Sequence, residues 1–152
     1  RKDLVGKAPA NTPIYLDYAT HAKKGSMYNT PPCYPIYIAG EVFKYLLKNG
    51  GVKATHERDV EKANLLYGYL DKSEMFKPSV AKEDRSLMNI TFVTGDPELD
   101  KKFIAGAKEQ GMINLAGYRT VGGMRASTYN AMPLEGVEAL VAYMEKFENE
   151  NK

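Results

Sequence analysis

Met88-Asn89-Ile90-Thr91-Phe92-Val93-Thr94-Gly95-Asp96-Pro97-Glu98-Leu99 is the stretch whose reading decides the fold. From Met88 to Thr94 the side chains alternate in character, the period of a strand with one face buried. Asp96 then supplies a side-chain oxygen for a helix N-terminus, and Pro97 stands at the first helical position, where its missing N–H leaves no bond unmade. The helix so begun carries Leu99, Phe103, Ile104 and Ala107 on one side and ends at Gly111. Downstream, Arg119 to Tyr129 reads as extended chain broken by Gly122-Gly123. Pro133 opens a last helix with Val137, Leu140, Val141, Met144 and Phe147 in phase, and its Glu- and Asn-rich end is expected to fray. Strands alternating with helices predict an α/β layer, with strand direction left open.

Upstream, Ile14, Leu16 and Tyr18 alternate with Tyr15 and Asp17, which predicts a short strand after the turn-formers Pro9, Asn11 and Pro13. Lys23 to Pro32 combines Gly, Ser, Asn and two prolines, the chemistry of a loop. A helix is predicted from Pro35 to Asn49, with Ile36, Ala39, Gly40, Phe43, Leu46 and Leu47 as an apolar stripe read as core. Thr55 is read as the cap of a second helix reaching about Asp71, with Val60, Ala63, Tyr67 and Leu70 on one face. Gly50-Gly51 is the best hinge, so the predicted boundary separates residues 1-49 from 50-152. The chain starts at Arg1 rather than Met, and Arg1 to Gly6 reads like a strand end entering a turn, as in a piece of a longer polypeptide.

With 152 residues, 43% of them hydrophobic and 26% charged, the chain can bury one sizeable core. Its 21 basic and 19 acidic residues are interspersed and net only +2, so no single-sign field favours nucleic acid or anionic lipid. The lone Cys33 excludes an internal disulfide framework and has no Cys or His at ligand spacing, which fits a reducing cytoplasm. Glu41 and Lys44 interrupt the longest apolar run, so no membrane span is expected.

Two polar stretches could carry chemistry: Ser26-Met27-Tyr28-Asn29-Thr30, and Tyr118-Arg119-Thr120-Val121-Gly122-Gly123-Met124-Arg125-Ala126-Ser127. Both suit anions. The even spacing of Arg119 and Arg125 puts both guanidinium groups on one face of a regular strand, unless a bulge at the paired glycines re-aims one. Arginine's planar fork matches carboxylate and phosphate. From spacing alone, solvated strand charges beside a plain bulge explain the second stretch, and a local turn explains Asn29-Thr30. His21 and His56 have no partner at catalytic spacing, and Cys33 fits a small buried hydrophobe.

Gly25-Ser26-Met27-Tyr28-Asn29-Thr30-Pro31-Pro32 and Gly122-Gly123-Met124-Arg125-Ala126-Ser127-Thr128-Tyr129-Asn130-Ala131-Met132-Pro133-Leu134-Glu135-Gly136-Val137 resemble the phosphoserine aminotransferase family, within the class V aminotransferases. The resemblance continues through Val42 to Leu46, Asn49 to Val52, Leu65 to Gly68, Arg85 to Asn89, and Arg1 to Leu4. It implies a fold type I enzyme dependent on pyridoxal 5'-phosphate, of which this chain holds the C-terminal small α/β domain, a mixed sheet packed with helices, and a remnant of the large domain. It also implies a homodimer in the cytoplasm that exchanges an amino group between L-glutamate and 3-phosphohydroxypyruvate in serine biosynthesis.

In the family, the lysine that carries the cofactor lies upstream of the position matching Arg1. The resemblance therefore gives this chain no catalytic residue, and neither Lys2 nor Lys7 takes that place. Asn29 and Thr30 match residues that reach the cofactor phosphate of the neighbouring subunit. Arg125 matches the arginine that grips the substrate α-carboxylate, and Arg119 a residue that contacts the distal phosphate or carboxylate. Tyr118 departs from the family, where many members carry histidine after the glycine matching Gly117; a phenol donates to phosphate but brings no imidazolium charge. With the resemblance added, Arg119 and Arg125 are expected to be ligands rather than solvated charges. The alternatives are a class V aminotransferase acting on an unphosphorylated amino acid, or a non-catalytic module that binds anions or dimerises.

Overall fold

The computed structural model describes all 152 residues, which form two compact units, Arg1–Tyr45 and Leu46–Lys152. The first unit holds 3₁₀ turns at Lys2–Leu4 and Ile14–Leu16, helix α1 (Tyr18–Lys23) and most of α2 (Cys33–Lys48). Where a strand is predicted from Ile14 to Tyr18, the chain is helical instead. Asp17 accepts a 3.0 Å hydrogen bond from the Ala19 N–H and caps α1, so a local cap overrides the alternation. Arg1 to Leu4 likewise forms a 3₁₀ turn rather than a strand end. Helix α2 starts at Cys33, two residues before Pro35, because a first-turn proline lacks only an N–H that has no intrahelical partner.

None of the residues of α2 is buried. The apolar stripe read as core is therefore not core within this chain, and Ile36, Phe43 and Leu47 are exposed by 58%, 63% and 75%. A helix apolar on a solvent face is one built to be covered.

The second unit contains α3 (Gly51–Leu70), β1 (Lys77–Pro78), β2 (Asn89–Val93), α4 (Pro97–Glu109), β3 (Met124–Ser127) and α5 (Leu134–Glu150). Helix α3 begins at Gly51, not at Thr55. Gly50 takes φ +91°, a conformation open to glycine, and Thr55 sits inside the helix, its hydroxyl donating 3.0 Å to the Gly51 carbonyl one turn back. Its buried face runs through Asp59, Lys62, Ala63, Leu66 and Leu70 rather than through Val60 and Tyr67.

The strands lie in the order β1-β2-β3 and pair antiparallel throughout, where a mixed sheet is predicted. Register places Thr91 opposite Arg125 and Asn89 opposite Ser127. Ile90 and Phe92 on β2, with Met124 and Ala126 on β3, point to the helices and are buried. The core is aromatic at its centre. The Phe103 ring lies 5.0 Å from Phe76, 5.0 Å from Tyr143 and 5.2 Å from Phe147, mostly tilted or edge-to-face, the favoured geometry for ring quadrupoles. Helix α4 keeps its predicted cap, with Asp96 Oδ1 accepting 2.8 Å from the Glu98 N–H. The end of α5 does not fray: Glu148 is buried, and the Asn151 amide donates 2.7 Å to the Phe147 carbonyl. No helix is long and apolar enough to cross a membrane.

Candidate functional site

In the first unit, the chain leaves α1 through a tight turn in which Gly25 and Ser26 both take positive φ, +56° and +64°. The Ser26 N–H donates to the His21 carbonyl at 2.9 Å. His21 has a structural task that its isolation in sequence hides. Its Nε2–H donates 2.7 Å to the Tyr15 carbonyl, and its ring stands edge-on to Tyr15 at 5.5 Å and to Tyr28 at 5.8 Å. The loop is thereby anchored one residue before Asn29. Asn29 and Thr30 are exposed, and no acidic residue lies between Asp17 and Glu41. An amide, a hydroxyl and free backbone N–H groups, with Lys23 and Lys24 nearby in sequence, form a donor set that fits a phosphate.

In the second unit, the predicted extended stretch from Arg119 to Tyr129 is extended along β3, and its start is the turn of a hairpin with Leu115 to Gly117. The Gly117 N–H donates 2.8 Å to the Gly123 carbonyl and the Arg125 N–H donates 2.7 Å to the Leu115 carbonyl, with Ala116 bridged to Met124. The turn closes through bonds of 2.8 Å from the N–H groups of Val121 and Gly122 to the Tyr118 carbonyl. Close approach demands the glycines. A Cβ on Gly117 would stand 2.0 Å from the Gly122 carbonyl oxygen, and one on Gly123, at φ +65°, would meet Val93 Cγ1 at 2.6 Å.

Arg119 and Tyr118 thus lie at the exposed hairpin turn and Arg125 on the strand, so the even spacing does not put the two arginines on one regular face. Arg125, Ser127 and Tyr129 form the row opposite the core-facing Met124 and Ala126. Ser127 Oγ donates 3.0 Å and Tyr129 OH 3.3 Å to Asn89 Oδ1, which knits the row to β2. Arg125 itself is half-buried, and its Nε is shielded from solvent with no hydrogen-bond partner. A shielded guanidinium N–H without an acceptor can donate to an anion. Arg125, Ser127, Tyr129 and Met132 line an open groove of about 770 Å³ together with Ile113, Leu115 and residues of α5.

Behind this row sits a pair that sequence reading misses. Lys62 and Asp59 on α3 are 2% and 3% exposed, with Nζ 3.0 Å from Asp59 Oδ1. That oxygen accepts no hydrogen bond, so the pairing is ionic without directional geometry. Nζ instead donates to the carbonyls of Thr128, Tyr129 and Met132 at 3.2, 3.0 and 3.1 Å. The available signal was helical spacing, since Asp59 and Lys62 share a stripe with Leu66 and Leu70.

The aminotransferase class-V family model matches residues 5–140. The curated phosphoserine aminotransferase of Mannheimia succiniciproducens is 52% identical over 151 residues, which are 99% of this chain and 42% of that protein. That of Acinetobacter baumannii is 50% identical over the same shares. Among solved structures, the phosphoserine aminotransferase from Bacillus circulans subsp. alkalophilus superposes with a TM-score of 0.90 at 41% identity, covering 100% of this chain and 42% of that one. The pyridoxal-phosphate-bound phosphoserine aminotransferase from Trichomonas vaginalis gives 0.82 at 37% identity, with 95% and 42% covered. The chain spans about 42% of the length of the curated relatives it matches.

Proposed function

Because the chain belongs to the class-V aminotransferase family, we propose that it is the substrate-gripping part of a phosphoserine aminotransferase, which converts 3-phosphohydroxypyruvate and L-glutamate to O-phospho-L-serine and 2-oxoglutarate in serine biosynthesis. The relatives' names support the reaction, and one observation carries the reading at the site: the shielded, unpartnered Nε of Arg125 on a strand knitted by Asn89.

Pyridoxal 5'-phosphate supplies the electron sink for amino transfer when bound. The residues of this chain bind and orient. Arg125 takes the α-carboxylate through its planar fork, fixing which face of the substrate's Cα is presented for proton transfer. Arg119, at the exposed hairpin turn, takes the distal phosphate or carboxylate, with the Tyr118 hydroxyl as a neutral donor beside it. Asn29 and Thr30 hold the cofactor phosphate of a neighbouring subunit in a cytoplasmic homodimer. The exposed apolar side chains of α2 support a covered surface of that kind. Residues 1-49 belong to the large domain with an interdomain helix, and 50-152 form the small domain.

Tyr118 favours a second reading, a class V enzyme that accepts unphosphorylated substrates, because no imidazolium is present to match a dianion. Glutamate-dependent turnover by an enzyme of the relatives' full length carrying these residues separates the two. Preference for 3-phosphohydroxypyruvate over hydroxypyruvate, abolished in Arg119→Ala, is the expected result. Equal use of both acceptors sinks the phosphate assignment.

A further inference from the structure

Lys62 takes no part in the chemistry proposed above, yet it is 2% exposed, an environment that strips an ammonium of its water. Such a group persists only where its protons are all received. Here three carbonyls, from Thr128, Tyr129 and Met132, converge on Nζ within 3.2 Å, and Asp59 balances the charge at 3.0 Å. Those carbonyls belong to the bend by which the chain leaves β3 for α5. The ladder to β2 ends at the pair Ser127 and Asn89, and beyond it the bend is tied to the neighbouring segment by Thr128, through bonds to Met88 and Leu87, and by the Tyr129 hydroxyl, through its 3.3 Å bond to Asn89.

We infer that Lys62 is a positioning residue: its ammonium clamps the Thr128 to Met132 bend and so sets the row of Arg125, Ser127 and Tyr129 against the substrate. The inference rests on the reading of Arg125 as the carboxylate ligand. Its physical basis is leverage over a short strand. β3 has only the residues Met124–Ser127, so its outgoing end takes the direction of the bend, and a shift there moves Tyr129 and Met132 on the groove wall. A lysine suits the task because three protons radiate from one atom, whereas an arginine fork is planar and cannot point at three carbonyls around a single centre.

The test uses full-length enzyme loaded with cofactor and compares Lys62→Arg with wild type. Should that variant fail to fold, the double variant Asp59→Leu with Lys62→Met, which leaves no unpaired buried charge, is measured in the same way. The expected result is a rise of about tenfold in KM for glutamate with kcat retained within about threefold. Amide exchange from Thr128 to Met132 is also expected to quicken, with cofactor occupancy unchanged. A KM within twofold of wild type, or a parallel fall of kcat, affinity and melting temperature, overturns the inference. Arg125→Ala run alongside separates two failures. If it raises KM strongly while the Lys62 variants are silent, the clamp is wrong and the role of Arg125 stands; if both are silent, the carboxylate reading falls and the clamp falls with it.

Discussion

The Tyr69 hydroxyl on α3 donates a 2.6 Å hydrogen bond to Glu148 Oε2 on α5, joining the two helices through a buried carboxylate. Ser73 Oγ donates to the same oxygen at 2.6 Å, and the N–H groups of Glu74 and Met75 reach Oε1 at 3.1 and 3.3 Å. Burial pushes the Glu148 pKa up, but the bonds from Ser73, Tyr69 and the two amides outweigh it and bring it to about 2. Burial and the same carboxylate push the Tyr69 phenol upward.

Acid should therefore loosen this junction. Glu148 binds its proton more weakly in the folded protein than at its ordinary value of 4.5, so its stabilisation is complete above that pH and is lost as pH falls toward about 2. The loss amounts to roughly 3 kcal/mol. Urea unfolding from pH 6 to pH 2.5 checks it: Glu148→Gln should be less stable at pH 6 and show a flatter acid slope, and identical slopes would refute the role.

Phe103 is fully buried among Phe76, Phe92, Tyr143 and Phe147. Phe103→Ala should cost about 3 to 5 kcal/mol, and Phe103→Leu clearly less. Chemical denaturation of both variants measures this, and a cost under about 1 kcal/mol for alanine would mean that the site collapses without a cavity.

At the hairpin, Gly117→Ala should be worse tolerated than Gly122→Ala. The first places a methyl 2.0 Å from the Gly122 carbonyl oxygen, while a Cβ on Gly122 meets nothing within 4 Å and strains only its φ of +78°. The expected costs are at least about 2 kcal/mol against about 1. Melting temperatures read the order, and equal losses would show that backbone conformation, not contact, dominates.

Tyr118→His in the full-length enzyme should favour 3-phosphohydroxypyruvate over hydroxypyruvate by about tenfold more than wild type, and increasingly so below pH 6.5 as the imidazole gains its charge. Ratios of kcat/KM across pH 5.5 to 8 are the measurement. A pH-independent ratio would place residue 118 away from the distal phosphate.

Arg85 forms bonds of 2.8 and 2.6 Å to Asp71 and stacks 4.5 Å over the Tyr67 ring. The Asp71 side chain is 41% exposed and that of Arg85 15%, so Asp71→Asn should cost about 1 kcal/mol and less at high salt. A large, salt-independent loss in thermal unfolding would contradict that.

What the sequence determined by itself is whatever depends on neighbours along the chain. Asp96-Pro97 and Gly111 bound α4, and the period through Phe103, Ala107, Val137, Leu140, Met144 and Phe147 marks the faces that are buried. The motifs around Asn29 and Arg125 likewise carry the family in their local order. Only tertiary structure decided the rest. The two-residue β1 is too short for any period to register, and the run from Ile14 to Tyr18 lost its alternation to a local cap. The buried face of α3 includes Asp59 and Lys62, charges that hydropathy assigns to water. Their burial is stable only because Thr128, Tyr129 and Met132, more than sixty residues away, bring carbonyls to Nζ. Glu148 is buried for the same reason, since its hydrogen-bond donors come from the far end of α3 and the segment that follows it. Arg119 and Arg125 were parted by the hairpin that the close contact between Gly117 and Gly122 allows, an approach that no spacing rule contains.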